Sequence, residues 1–157
     1  MGAKAQLKKE KVIADLVEAR TMVLEAAAAL SPAQQDEVFL GTWSVKDLLA
    51  HLVGWDYANL EAAQAILAGQ RPAFWVHYDR DWKTFNARLV AEYRRDDFAE
   101  LVASVEDSHR RLIAFLETIP AEDFFRAHGR DRISTLLRVE ARDERKHCAQ
   151  IQEFAGR

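Results

Sequence analysis

Apolar residues recur three and four positions apart along four stretches of the chain, the spacing that gathers them on one face of an α-helix. The first stretch is residues 4–30, with Ile13, Leu16, Val17, Val23, Leu24, Ala27 and Leu30 as its stripe. It stops at Ser31-Pro32, because a residue before proline avoids helical backbone. The second opens at Ser44, where Ser44-Val45-Lys46-Asp47 has the spacing of a capping box. Its stripe is Leu48, Leu52, Trp55, Asn59, Ala62 and Ile66, and Gly69 with Pro72 behind it marks its end. The third covers residues 82–119, with an interruption or bend expected at Arg95-Asp96-Asp97. Its later stripe is Phe98, Leu101, Val102, Val105, His109, Leu112, Leu116 and Ile119, closed by Pro120. The fourth covers residues 131–154.

Helices of this length bury a common core most simply as a bundle. The expected fold is therefore all-α, a four-helix bundle in a single domain over residues 1–157. The connectors are longer than tight helical-hairpin loops, which leaves room for one long crossover. Residues 69–81 form a connector rich in aromatics, with Phe74, Trp75, His77 and Tyr78, that serves as a substrate lid or as an apolar plug over the bundle.

Composition narrows the class further. With 49% hydrophobic and 30% charged residues in 157, the chain can bury a core, and with 6 Gly and 3 Pro it is poor in turns. A net charge of −3 supplies no bulk basic field, so nucleic acid is not an expected partner. The single cysteine, Cys148, excludes an internal disulfide and a cysteine zinc cage and reads as a small core residue. No targeting segment and no apolar run long enough for a bilayer stand out, so a soluble cytoplasmic protein is expected.

The fourth stretch departs from its pattern. Between Ile133, Leu136, Leu137 and the closing Ile151, Phe154, the stripe lands on Glu140, on Asp143 or Glu144, and on His147. Inward carboxylates are costly unless they are paired or bind a cation. Asp143 and His147 are four apart, one above the other on a helical face, which is a chelating spacing. On the second helix His51 sits beside Leu48, Leu52 and Trp55. It lies seven residues after the cap, and His147 lies seven before Phe154, about 10 Å in each case. In antiparallel helices the two imidazoles would meet. Two histidines and a carboxylate with open positions suit Zn, Fe, Mn or Ni better than Ca or Mg. His109, alone on its apolar face, reads as a core residue.

The run Gly41-Thr42-Trp43-Ser44-Val45-Lys46-Asp47-Leu48-Leu49-Ala50-His51-Leu52-Val53-Gly54-Trp55 resembles the second-helix signature of the DinB-like superfamily, where a Trp-Ser opening precedes an inward histidine. Asp143-Glu144-Arg145-Lys146-His147-Cys148-Ala149-Gln150-Ile151 is similar to its fourth-helix signature, in which two histidines stand four apart. Residues 86–125, with Tyr93, Ser108 and the Ile119-Pro120-Ala121-Glu122-Asp123-Phe124 turn, are similar to the ClbS/DfsB branch of that superfamily. The resemblance implies a DinB/YfiT-like bundle with a long crossover between helices two and three, often dimeric. It implies a divalent metal held by one histidine of helix two and two of helix four. His51 and His147 match those positions, and Asp143 stands where a histidine would be.

Taken with these residues, the resemblance implies a metal-dependent hydrolase or thiol-dependent transferase acting on a small molecule. The resemblance also admits a low-molecular-weight thiol as co-substrate. His51, Asp143 and His147 would hold the metal. Glu140 or Glu144 would act beside it or as base, and Trp55, Trp75, Tyr78 and Trp82 would line the pocket. Two alternatives stand next to it: a metal-free ClbS/DfsB-like hydrolase or sequestering protein, and a non-catalytic dimeric binding protein.

Overall fold

A computed structural model describes residues 2–75 and 81–157. Four long helices carry the fold: α1 (Gly2–Ala28), α3 (Val45–Leu67), α5 (Phe98–Thr118) and α7 (Ile133–Ala155). Three shorter ones lie between them: α2 (Pro32–Asp36), α4 (Trp82–Tyr93) and α6 (Ala121–Phe125). The expected all-α bundle is thus present. No helix among the described residues is long and apolar enough to cross a membrane.

Local chemistry sets the boundaries. Ser44 Oγ accepts from the Asp47 amide while Asp47 returns a carboxylate to the Ser44 amide at 2.9 Å, the capping box expected from the sequence. Gly69 follows α3 with φ +72°, a left-handed backbone that glycine adopts without strain. Ser31 does not merely end α1. It caps the one-turn helix α2 through a second capping box with Gln34. The third stretch is two helices and not one bent helix, since α4 ends at Tyr93 and Asp97 caps α5 by accepting from the Glu100 amide.

Two apolar blocks give the helix directions. In one block Val23, Ala27 and Leu30 pack with Val45, Leu48, Leu52, Leu101, Val105, Ile151 and Phe154. In the other Val12, Ile13 and Leu16 pack with Ala63, Ile66, Leu112, Leu116, Ile133 and Leu137. Residue numbers rise from the first block to the second in α3 and α5, and fall in α1 and α7. So α3 and α5 run parallel to each other and antiparallel to α1 and α7. A parallel neighbour cannot be reached by a hairpin, because the chain must first return the length of α3, about 33 Å. Residues 68–97 make that return, and α4 is part of it. This is the long crossover between the second and third long helices.

The crossover lies tightly on α3. A Cβ placed on Gly54 would stand 2.6 Å from Leu89 Cβ, so glycine is what lets α3 and α4 approach. Beneath them Ala62, Phe74, Phe85 and Leu89 form a third small apolar block with Trp55, Trp75 and Trp82 against it.

Candidate functional site

Between the two main apolar blocks lies a polar layer to which each long helix contributes. Arg20 of α1 is 2% exposed. Its two Nη groups donate to both oxygens of Asp56 on α3 at 2.9 and 2.8 Å, and its Nε donates to Glu144 on α7. Ser108 Oγ of α5 donates to Asp56 at 2.5 Å. A fork of guanidinium donors between two carboxylates is the arrangement that makes a buried charge tolerable. Burial alone would lower the Arg20 pKa, but Asp56 and Glu144 more than reverse this and raise it. Burial would raise Asp56, and Arg20 overcomes that and holds it below the ordinary carboxylate range. Glu144 stays raised by burial even with Arg20 beside it.

One turn along α7, Glu140 faces a cavity instead. Its carboxyl is buried, with Asn59 Nδ2 of α3 at 3.5 Å, the outer limit of a hydrogen bond. Burial first, and then the Glu144 charge, push its pKa well above the ordinary glutamate value, with Arg20 opposing. The shift favours the protonated form of Glu140, which is a hydrogen-bond donor.

The cavity measures about 550 Å³. The crossover builds one side of it with Phe74, Trp75, Trp82 and Asn86. The α3 side supplies His51, Trp55 and Asn59, and α7 supplies Glu140, Asp143, Lys146 and His147. Trp55 is the centre of the aromatic wall, 5.6 Å from Phe74, 5.2 Å from Trp82 and 5.4 Å from Phe85 between ring centroids. Trp55 Nε1 donates to Asn86 at 3.0 Å, and Trp75 Nε1 to Asp131 at 2.8 Å, which ties the crossover to the start of α7. Trp55, Trp75 and Trp82 thus line this cavity. Tyr78, with His77 and Arg80, lies outside the described residues.

His51 and His147 meet as the antiparallel register requires, their rings perpendicular and 5.8 Å apart. Both are held neutral. Burial, with His147 and Arg20 adding, lowers His51 to about 3. Burial lowers His147, with Gln150 opposing. His147 Nδ1 lies 2.8 Å from Gln150 Oε1; with the amide placed carbonyl-first, Nδ1 carries the proton and Nε2 keeps an acceptor lone pair. His51 Nδ1 is buried and finds no hydrogen-bond partner among the described residues.

The donors present do not complete the expected metal set. Asp143 borders the cavity, but its side chain is 51% exposed and its carboxylate lies 3.7 Å from Arg142. Glu144, the other carboxylate at that level and an expected base, points about 100° away around the helix and is taken up by Arg20. Two facing imidazoles remain, half of a tetrahedral site. No group of three or more His, Cys, Asp or Glu side chains that could hold a metal ion occurs among the described residues. The side chains as placed therefore do not fit a three-donor Zn, Fe, Mn or Ni centre.

The apolar pattern singles out none of Arg20, Asp56 and Ser108, although Ser108 is among the residues that carry the resemblance. Arg20 and Asp56 were visible as charges inside apolar stripes, three or four residues from Leu16, Val23 and Leu52. Ser108 carries no such signal. His109 packs at the edge of the layer, with Nδ1 3.9 Å from Asp56, beyond hydrogen-bond reach.

Neither a curated protein nor a solved structure matches the chain. The family model of the DinB superfamily matches residues 15–151, a span that takes in the second half of α1, the whole crossover and all but the end of α7. That span includes His51 and His147 at the positions the resemblance assigns to ligands, and the chain belongs to the DinB superfamily.

Proposed function

We propose that the chain is a metal-independent hydrolase of a small, largely apolar electrophile, the ClbS/DfsB-like alternative. The single observation that carries this is the placement of Glu140, a buried carboxyl favoured in its acid form, in an aromatic-walled cavity with two neutral imidazoles. Glu140 and His147 are seven residues apart on one face of α7, about 10 Å, which leaves room for a small molecule between them. His147 Nε2 accepts a proton from water as the water oxygen bonds to the electrophilic carbon. The bond from that carbon to the leaving oxygen breaks, and Glu140 gives that oxygen its proton. The proton on His147 then returns to Glu140 through solvent. The aromatic wall orients the substrate and keeps bulk water out.

The test is turnover of a panel of epoxides and activated aryl esters after exhaustive dialysis against chelator. Turnover should survive chelation and fall about 100-fold or more in Glu140→Gln, the scale of a lost general acid. Turnover that disappears on chelation and returns with Zn, Ni, Fe or Mn would overturn the proposal in favour of a metal-dependent enzyme.

A further inference from the structure

We infer that the molecule bound in the aromatic cavity carries an anionic group, held at the cavity mouth by Arg142 and Lys146 of α7. This rests on the small-molecule reading above and adds the ligand's charge to it. The chain as a whole is net negative, at −3. The mouth runs against that balance. Arg142 and Lys146 both border the cavity and stand four residues apart, one turn up the same face. Among the described residues that line the cavity, Asp143 is the one exposed carboxylate, and its 3.7 Å approach is to Arg142. Lys146 makes no ion pair among the described residues.

The interior cannot supply a second place for an anion. Its floor holds Glu140, favoured as the uncharged acid, and the Arg20 guanidinium beyond it is already taken up by Asp56 and Glu144, so no cation there is open to an anion among the described residues. Its walls are the rings of Trp43, Trp55, Phe74 and Trp82, which favour an apolar or aromatic body. The bound molecule is therefore amphiphilic, apolar inward and anionic outward. Glu140 and Lys146 are six residues apart, about 9 Å along α7, so the body is about the length of two fused rings.

Two fluorescent probes with one ring framework separate the contributions: 8-anilino-1-naphthalenesulfonate and N-phenyl-1-naphthylamine, which lacks the sulfonate. Titration of the full chain at pH 7 in low salt should show the sulfonate binding at least fivefold tighter. The advantage should shrink in about 0.5 M NaCl, where charges at the surface are screened. Arg142→Glu with Lys146→Glu should weaken the sulfonate tenfold or more and leave the neutral probe within twofold. Both side chains are solvent-exposed, so the fold tolerates the change. Val139→Trp, which fills the cavity from a 40% exposed position, should weaken both probes and so locates them. Equal affinities in the wild type, equal losses in the double variant, or sulfonate binding untouched by Val139→Trp would each overturn the assignment. If the neutral probe binds without a sulfonate advantage, the charge assignment alone fails. If neither probe binds, the cavity reading fails with it.

Discussion

Replacing Arg20 by methionine removes the guanidinium that pairs with Asp56 and Glu144 and keeps much of its volume. Asp56 and Glu144, 1% and 0% exposed, are then left facing each other across its place. They can stay charged, which costs about 3–5 kcal/mol for a buried partner left unpaired. They can instead take up protons. For a carboxyl with an ordinary pKa near 4, that costs about 1.4 kcal/mol per pH unit, or about 4 kcal/mol at pH 7. Asp56 retains the Ser108 hydroxyl, so Glu144 bears most of the penalty. Arg20→Met should therefore lose about 4 kcal/mol at pH 7, a large share of the stability of an ordinary domain.

The pH dependence separates this account from simple loss of packing. In the variant the folded carboxyls have pKa values raised above the unfolded ones. Their contribution is then fully present below about pH 4 and is lost as pH rises through the folded values. In the wild type Asp56 is lowered, so its contribution is present above its unfolded pKa and is lost as pH falls. Both effects widen the gap between wild type and variant as pH rises. Urea unfolding followed by circular dichroism should give a gap of about 1–2 kcal/mol at pH 4.5, growing toward about 4 at pH 7. A triple variant, Arg20→Met with Asp56→Leu and Glu144→Leu, should recover most of the loss. A gap that stays flat across this range, or one below about 1 kcal/mol at pH 7, would refute the reasoning.

Three further expectations follow from the same geometry. Glu140 is raised by burial, so its contribution to stability is present below its unfolded pKa and lost as pH rises; Glu140→Gln should therefore exceed the wild type in urea midpoint at pH 8 and lose that margin by pH 4. His51, lowered to about 3, should show no protonation in a proton NMR titration from pH 7 to 5, while stability declines as pH falls below about 6.5 because the unfolded chain takes up the proton; a midpoint above 6 for that ring would sink the neutral-imidazole assignment. Gly54→Ala would place a Cβ 2.6 Å from Leu89 Cβ, and it should cost about 1–3 kcal/mol and weaken binding of the neutral naphthylamine probe as α4 lifts from α3; wild-type-like stability and binding would show that the crossover is not held there.

What the sequence disclosed about the fold was mostly what neighbouring residues decide among themselves. The Ser44–Asp47 box, the Gly69 stop and the four apolar stripes are local, and each lies where periodicity and capping chemistry put it. The break at residues 94–97 was legible as a charge run. That it separates two helices of different roles was not. α4 belongs to the crossover because α3 and α5 are parallel, and helix direction depends on which stripes pack together across the bundle. The same holds for α2 and α6. Five-residue helices carry no periodicity, and Ser31-Pro32 reads equally as a stop and as a new start.

The site divides along a finer line. His51 and His147 could be paired from the sequence because equal heights on antiparallel helices follow from counting residues, and their rings do meet. The carboxylates could not be sorted that way. Glu140, Asp143 and Glu144 all fall within a face three or four residues wide, and a rotation of about 100° per residue separates opposite fates. Glu144 turns toward α1 and is claimed by Arg20, whereas Asp143 turns toward the cavity rim and solvent. The deciding information lies on α1, more than a hundred residues away, where an arginine replaces what the stripe would make apolar. With Glu144 so engaged, the charge it carries acts on Glu140 one turn below and favours its protonated form. A carboxylate that looked like a base in sequence is thereby the group that helps keep its neighbour an acid.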